Sequence, residues 1–520
     1  MNDLILVMMI LLATSVNFKH SLHMFQQNRY EFQRYTDWLV INKLKNFGFY
    51  IQWLLLLNLF FWSYNFWGLL ICIWEITIIC IISLILEAKK KYIKPLVLTA
   101  RVKRQIVVLA IIDFLFIALA VYSDLVLKLL FMGSILTLNW FTIYLMAYVT
   151  KPLEAAIAKH YLNLAKEIID ARDDLIKIGI TGSFGKTSTK NILQQVLSEQ
   201  YYSLMTPASF NTPMGITITI RNDLKRTHDV FICEMGADHQ GDILELMDFI
   251  HPKYGIVTSI GPQHLNTFKS LENIINEKML MIEKLPSDGI GIINYDNEYI
   301  RDYKIQNTCK VIKVGIDNKD VDYYADNIHY SQKGSSFDIN YDNQTYHFET
   351  CLLGKYNITN ILVAIALATQ LGISWEQTIK AVKAIRYIEH RLELKKINGY
   401  TFIDNAFNSN PSGAKMSLEV LSRMAGQRII VTPGMIDLGK KQDEINYDFG
   451  ANMINNVDQV ILVGAKQTQA IYQGLIDSSF PTDKIAICDT VQEAFSKVYE
   501  IASYEDTILL ENDLPDAFNN

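Results

Sequence analysis

Long apolar runs dominate the first 150 residues, whereas residues 151–520 mix apolar and polar positions as globular proteins do. Four of the runs approach the roughly 20 residues that a helix needs to cross ~30 Å of hydrocarbon, and the first is shorter. The pattern predicts an N-terminal α-helical transmembrane module. Its five predicted spans are Leu4–Val16, Phe49–Asn65, Trp67–Leu86, Ile106–Tyr122 and Leu129–Val149.

The first span also fits a cleaved signal peptide, which begins with basic residues and ends at small ones. This chain begins Met-Asn-Asp and its basic residues follow the span, which favours an uncleaved anchor. Five basic residues lie in 19–45 and seven in 87–104. The positive-inside rule places these segments, and everything after Thr150, in the cytoplasm. The predicted location is the cell membrane, multi-pass.

Two acids, Glu75 and Asp113, fall inside predicted spans. Ionisable groups there are costly and often functional. They could equally be satisfied by helix contacts, or the span boundaries could be misplaced. The sequence leaves these alternatives open.

A strand, a glycine-containing loop and a helix follow one another in residues 174–200. "DLIKIGI" is typical of a buried parallel strand, and "TSTKNILQQVLSEQ" has helical apolar spacing. The loop "TGSFGKT" between them carries Lys186 and Thr187, which suit phosphate and Mg²⁺. Backbone N–H groups at a helix N-terminus favour anions. The context predicts a nucleotide site, although Ile180 stands where the common phosphate-loop pattern has a glycine.

Two further apolar runs end in residues that could hold metal. "HDVFICEMGA" contains Glu234, and "YGIVTSIGPQHLNTF" contains His264. In a doubly wound sheet, ligands bind at the carboxyl ends of the strands. We therefore expect Glu234 and His264 near Thr187, where a carboxylate suits Mg²⁺. Taken alone, Glu234 is as compatible with a strand-end surface residue, and a lone histidine is more often structural.

Composition and charge narrow the function classes. The chain has 520 residues, enough for two or three domains. Residues 1–150 hold 13 Lys and Arg residues and 7 Asp and Glu residues. Residues 151–520 hold the other 35 Lys and Arg and 47 Asp and Glu, a net charge of −12. An acidic globular part argues against nucleic acid as a partner. The six cysteines are scattered, so no zinc or disulfide framework is indicated.

From Ile178 to Leu514 the chain resembles the Mur ligases, which use ATP to form amide bonds in cell-wall precursors. The similarity is greatest to the branch that adds D-alanyl-D-alanine. The shared phosphate loop is a shortened G-x-x-G-K-T, which accounts for Ile180. The blocks that carry the resemblance are "TGSFGKTS", "FNTPMGIT", "EMGADHQGDI", "HLNTFKSLENIINEK", "GKYNITN", "HRLEL", "IDNAFNSNP" and "PGMIDLG".

The resemblance implies a set of site residues. Lys186, Lys278, His264 and Arg391 would be catalytic, and two Mg²⁺ ions would be held by Thr187, Glu234, His264 and a carbamylated Lys278. Arg391 would reach the ATP phosphates when the domains close, Asn360 would lie near adenine, and Asn405 near the ribose. The residues implied to bind ATP are Gly182, Ser183, Phe184, Gly185, Lys186, Thr187, Ser188, Asn357, Asn360, Arg391 and Asn405.

Several positions depart from the family pattern. Asp404-Asn405 stand where the family has two acids, Tyr356 replaces a histidine, and Thr212-Pro213 replace polar residues. "ILLENDLPDAFNN" stands where the branch has Lys-Gly-Ser near the incoming dipeptide. The family's small uridine-nucleotide domain is missing from the matched region. D-Ala-D-Ala and a soluble UDP-sugar peptide are therefore both open to question as substrates.

The predicted fold is multi-domain. A transmembrane module (1–150) precedes an α/β P-loop central domain (151–385) and a Rossmann-like α/β C-terminal domain (386–520). The predicted function is an ATP-dependent carboxylate–amine ligase at the inner membrane face, acting on a cell-wall or surface-polymer precursor. Its expected partners are ATP, a carboxylate acceptor that could be lipid-linked, an amino acid or dipeptide, and the membrane.

Three alternatives remain open. A poly-γ-glutamate-like synthase would add one amino acid repeatedly. A P-loop transporter would use ATP to drive movement, but it would leave the Lys278 and Arg391 blocks unexplained. A nucleotide-binding scaffold without catalysis is kept open by Asn405 and the unusual C-terminus.

Overall fold

The computed structural model describes residues 18–40, 74, 78, 81, 85, 95–122, 139–331, 334–387, 390–406, 411–436, 438 and 441–512. The chain divides into two compact units. The first comprises Met1–Lys159 with Leu514–Asn520, and the second comprises His160–Asp513. The domain boundaries predicted from the sequence stay predictions.

The described part of the first unit is helical. Residues 18–27 form a helix, followed by α1 (Phe32–Leu39), α2 (Ala100–Tyr122) and α3 (Asn139–Asp170). Their apolar side chains form one core that includes Phe25, Tyr35, Leu109, Ile143 and Met146. Arg104 on α2 donates two hydrogen bonds of 2.7 Å to Glu154 on α3. Apolar contact and this bidentate ion pair hold α2 against α3.

The predicted transmembrane module is wrong. Within the described ranges, no helix is both long and apolar enough to cross a membrane. The first turns of α2 carry Arg101, Lys103 and Arg104, and the apolar part of α3 gives way to Lys151 and Pro152. The predicted multi-pass location in the cell membrane rested on these spans and is corrected with them. Much of the predicted module lies outside the described residues. These parts are Leu4–Val16, Phe49–Asn65, nearly all of Trp67–Leu86 including Glu75, and residues 129–138.

The second unit begins with a nine-stranded sheet in the order β2-β3-β1-β4-β5-β6-β7-β8-β9. The strands from β2 to β7 pair in parallel, and β7, β8 and β9 pair antiparallel, as the alternating residues 326–354 predicted. The strands are β1 (Ile176–Thr181), β2 (Ser203–Met205), β3 (Val230–Glu234), β4 (Tyr254–Val257), β5 (Ile290–Asn294), β6 (Lys310–Gly315), β7 (Tyr323–Ser331), β8 (Gly334–Tyr341) and β9 (Gln344–Thr350).

Helices cover both faces of this sheet because the buried strands carry apolar side chains on both sides. Ile178 and Ile180 of β1 pack with α4 and α10 on one face. Phe231 and Cys233 of β3 pack with α6 and α8 on the other. The helices are α4 (Lys186–Leu197), α5 (Pro213–Asp223), α6 (Asp242–Ile250), α7 (Leu265–Phe268), α8 (Leu271–Glu283), α9 (Glu298–Arg301), α10 (Lys355–Gln370) and α11 (Trp375–Lys383).

A second sheet of six strands follows, in the order β10-β11-β15-β12-β13-β14. Only β10 runs antiparallel to its neighbour. Alternate residues again face two cores, with Ile403 and Ile430 on one side and Phe402 and Ile429 on the other. Its elements are β10 (Glu393–Ile397), β11 (Tyr400–Asn405), β12 (Arg428–Thr432), β13 (Gln459–Val463), β14 (Ile485–Cys488), β15 (Thr507–Glu511), α12 (Pro411–Ser422), α13 (Gln442–Ala451), α14 (Gln469–Asp477) and α15 (Val491–Ile501).

Candidate nucleotide and metal site

The loop between β1 and α4 has the geometry of a phosphate cradle. Gly182 and Gly185 have φ of +145° and +84°, a region that favours glycine. A Cβ at Gly182 would lie 2.2 Å from Thr258 Oγ1, so the residue that follows β4 packs directly against the loop. Thr258 and Ser259 donate hydrogen bonds to the Phe184 carbonyl oxygen. The loop is therefore fixed by the neighbouring strand as well as by its own glycines.

The two polar side chains that begin α4 lie within this loop region. Lys186 Nζ donates to the carbonyl oxygens of Gly182 (2.6 Å) and Ser183 (3.2 Å). Burial lowers the pKa of Lys186, and Glu234 opposes that shift. Thr187 Oγ1 donates to Glu234 Oε2 at 3.0 Å, which joins the loop to the end of β3. Lys186 and Thr187 thus both lie at the loop and are tied to it or to Glu234, and their roles toward phosphate and Mg²⁺ stay predictions.

Glu234 is buried, with 1% of its surface exposed, at the carboxyl end of β3. Besides Thr187, it accepts hydrogen bonds from Lys190 Nζ (2.9 Å) and from Asn211 Nδ2 (3.1 Å). Burial raises the pKa of Glu234, but the ammonium groups of Lys190 and Lys186 and the Asn211 amide outweigh it. Its pKa therefore lies below the ordinary value. Glu234 is an anion whose two oxygens both have donors.

Asp238 lies beside His264, one of the predicted metal ligands. Its Oδ1 lies 3.2 Å from Nε2 of His264, in the loop after β4. The charge of Asp238 also acts on Lys186 and on Lys278. His264 has a φ of +52°, so the backbone turns sharply at this residue. The sheet therefore brings His264 and Lys278 toward the same charged region.

Lys278 lies on α8 with 2% of its surface exposed. Its Nζ donates to the Ala237 carbonyl oxygen at 3.2 Å and lies 5.9 Å from the centre of the Phe268 ring. Burial, followed by the charge of Lys186, lowers the pKa of Lys278 to about 7. A large fraction of this amine is thus neutral near neutral pH, which carbamate formation requires.

The donor set suits magnesium when phosphate oxygens complete it. Mg²⁺ is usually held by one or two carboxylates together with substrate phosphates and water. Thr187 and Glu234 offer a hydroxyl and a carboxylate side by side. No group of three His, Cys, Asp or Glu side chains in the described residues could hold a metal alone. The residues fit Mg²⁺, and its two-ion form stays a prediction.

Arg391, from the segment before β10, contributes a cation to this region. Burial lowers its pKa, and the charges of Glu234 and Glu511 oppose the shift. The charge of Arg391 in turn helps to lower the pKa of Lys186. Arg391 therefore acts electrostatically on groups of the phosphate loop region, and its predicted role toward the ATP phosphates stays a prediction.

The remaining predicted nucleotide contacts are engaged within the protein. Asn360 accepts a hydrogen bond from Thr189 (3.0 Å) on α4, and Asn357 donates to the Leu353 carbonyl oxygen (2.8 Å). Ser183 accepts from the Gly261 N–H. Asn405 donates to Glu511 (2.9 Å). Ser183 belongs to the loop and Asn360 borders it, whereas Asn357 and Asn405 have no hydrogen bond to it in the described part of the chain. The nucleotide roles of all four stay predictions.

Three residues of this region were missed by the sequence analysis: Lys190, Asn211 and Asp238. Lys190 stands one helical turn after Lys186, which was the available signal. Asn211 precedes Thr212, which caps α5 by accepting from the Gly215 N–H, and Pro213 begins that helix. The Thr-Pro departure thus has a local structural role in starting α5.

Comparisons with known proteins agree with this geometry. The family model for the Mur ligase middle domain matches residues 180–368, and the model for the Mur ligase glutamate ligase domain matches residues 390–511. Residues 180–511 of the chain thus belong to the Mur ligase family. The predicted enzyme class, an ATP-dependent acid–amino-acid ligase, is confirmed.

Several relatives carry the name UDP-N-acetylmuramoyl-tripeptide–D-alanyl-D-alanine ligase, among them the two described next. The Bacillus subtilis (strain 168) protein is 29% identical over 337 residues, 64% of this chain and 72% of the relative. The Escherichia coli (strain K12) protein is 28% identical over 297 residues, 56% of this chain and 65% of the relative. The MurF ligase from Thermotoga maritima, solved in complex with ADP, shares the fold with a TM-score of 0.62 at 21% identity, over 68% of this chain and 80% of that one.

The contact at Gly182 gives a first prediction. Gly182→Ala should cost more than about 3 kcal/mol of unfolding free energy, because its Cβ would overlap Thr258 and its φ suits only glycine. Gly372→Ala is the control, since Gly372 has a φ of +88° but nothing within 4 Å of its Cβ position. The control should cost only about 1 kcal/mol. Chemical denaturation of both variants measures this, and equal costs would contradict the packing argument.

The environment of Lys278 gives a second prediction, on pH. Between pH 7 and 10.5 the unfolded chain holds this proton and the folded protein has released it, because folding lowers the pKa of Lys278 to about 7. The contribution of Lys278 to the free energy of unfolding therefore rises with pH in that window, by up to about 1.4 kcal/mol per pH unit. Lys278→Met should lose the rise.

Unfolding free energies at pH 7, 8 and 9, in buffer free of CO₂, test this expectation. The matched control is Lys284→Met, at an exposed position just beyond the same helix. It should keep the pH dependence of the wild type. A constant difference between wild type and Lys278→Met across the range would refute the assignment.

Proposed function

We propose that the protein forms an amide bond between the carboxylate of a cell-wall peptide precursor and an amine, at the cost of one ATP. ATP would phosphorylate the acceptor carboxylate, breaking the β–γ phosphoanhydride bond and giving an acyl phosphate and ADP. The amine would then attack the acyl carbon, releasing phosphate and a proton. The observation that carries the proposal is the convergence of Lys186, Thr187, Glu234 and Arg391 on one loop.

Each of these side chains has a task in such a reaction. Lys186 would stabilise charge on the transferring phosphoryl group. Mg²⁺, held by Thr187 and Glu234, would neutralise phosphate charge. Arg391 comes from the second sheet, so its approach to the loop would coincide with exclusion of water, which would otherwise hydrolyse the acyl phosphate.

Lys278 is proposed to carry a carbamate. Its neutral amine would attack CO₂ and release a proton, and the product would be an anion. Burial of Lys278 and its pKa of about 7 support this step. The anion would supply oxygen ligands on the His264 side of the site.

The names of the relatives suggest the substrates to test first: a UDP-N-acetylmuramoyl tripeptide as acceptor and D-alanyl-D-alanine as amine. Glu511 belongs to the C-terminal segment that stands where the branch has Lys-Gly-Ser near the incoming dipeptide, and it is paired with Asn405. Because this segment differs, other amines should be tested beside the dipeptide. The acceptor could be nucleotide-linked or lipid-linked, and both forms belong in the assay.

A third prediction tests the reaction. Phosphate release from ATP should require acceptor and amine together, and hydroxylamine should trap the acyl phosphate when the amine is omitted. Lys186→Met should lower kcat by about 10²–10³-fold, because it removes charge stabilisation in the transition state. Phosphate release that never depends on both substrates would refute the ligase proposal.

A fourth prediction tests the carbamate. Lys278→Ala should abolish ligase activity, and short carboxylic acids should restore part of it by supplying the missing anion. The exposed Lys284→Ala variant is the control and should retain full activity. Full activity of Lys278→Ala would remove the carbamate from the proposal.

A further inference from the structure

Lys190 is a buried cation that the proposed reaction does not use. It lies on α4 one turn beyond Lys186, and none of its surface is exposed. Its Nζ donates to Glu234 Oε2 at 2.9 Å and to the Ala208 carbonyl oxygen at 2.6 Å. Lys190 therefore connects three separate segments: α4, the end of β3 and the loop before α5.

The contacts of Glu234 show what Lys190 does locally. Oε2 accepts from Thr187 and Lys190, and Oε1 accepts from Asn211. A buried carboxylate is stable only when it is paired and hydrogen-bonded. Three protein donors therefore hold the carboxylate in position.

The charges around Glu234 are mostly positive. Lys190 and Lys186 both act on it, and it acts on Arg391. One carboxylate thus faces three cations. The neighbouring acid Asp238 lies 3.2 Å from His264. A free divalent cation that approaches Glu234 would meet net positive charge, whereas a polyphosphate would be attracted.

We propose that Lys190 is a positioning residue that acts as the permanent counter-ion of Glu234, so that Thr187 and Glu234 bind a divalent cation only together with a polyphosphate. The phosphates would reverse the sign of the local charge and supply most of the oxygen ligands. Metal would then enter with the nucleotide or after it. This inference rests on the proposed nucleotide site.

Wild-type protein provides the first test. Mn²⁺ stands in for Mg²⁺, because free Mn²⁺ is measured directly by electron paramagnetic resonance. ADP alone should bind, and Mn²⁺ should bind the ADP-loaded protein at least tenfold more tightly than the nucleotide-free protein. Equal affinity with and without ADP would overturn the role of Lys190 while leaving the nucleotide site intact. Absence of Mn²⁺ and ADP binding altogether would overturn the nucleotide site itself.

Variants provide the second test. Lys190→Met and Lys190→Gln remove the charge, and Gln can still donate to Ala208 or Glu234. Both should bind Mn²⁺ without ADP at least tenfold more tightly than wild type, and Mn²⁺ should raise their unfolding temperature more than that of wild type. The control is Lys253→Met, which removes an exposed ion pair with Asp288. It should leave both readouts unchanged.

The two readouts separate a charge role from a purely structural one. If Lys190 only supports packing, its variants would unfold at lower temperature but show the Mn²⁺ affinity and Mn²⁺-induced shift of the wild type. That result would overturn the proposal. If a variant does not fold, equal Mn²⁺ affinity of the wild type with and without ADP still overturns the proposal.

Discussion

The site depends on one buried carboxylate. Glu234 ends β3, which lies next to the edge strand β2 of the first sheet. Thr187, Lys190 and Asn211 all donate to Glu234. Thr187 and Lys190 lie on α4, and Asn211 lies in the loop that precedes α5. A buried charge that lost its partners would be strongly destabilising, so the three segments are held in register by the need to satisfy this group.

The parallel sheet determines which residues can meet at that carboxylate. Because β1, β3 and β4 are neighbours and run in the same direction, their carboxyl ends lie at one edge. Each end delivers a different chemistry: the phosphate loop after β1, Glu234 on β3 and His264 after β4. The close approach of Gly182 to Thr258 fixes the spacing of two of these ends. These strand ends lie within residues 180–368, which match the Mur ligase middle domain.

Sequence patterns predicted the local parts of this arrangement well. Apolar β-branched runs marked β1, β3 and β4, and the alternating residues 326–354 marked the antiparallel strands. The same hydropathy argument failed in the first unit. No helix among the described residues of that unit is long and apolar enough to cross a membrane. The described helices there pack their apolar side chains into a shared core that includes Phe25 and Tyr35.

The sequence by itself determined the phosphate loop, the strand ends and the family, because each depends on residues close together in the chain or on a recognisable order of segments. Only the tertiary structure decided which side chains pair. Lys190 meets Glu234 across 44 residues of chain, and Asn405 meets Glu511 across 106. Such contacts depend on strand order and helix packing, which no local pattern encodes. The lowered pKa of Lys278 has the same origin, since its burial and its proximity to Lys186 exist only in the folded chain.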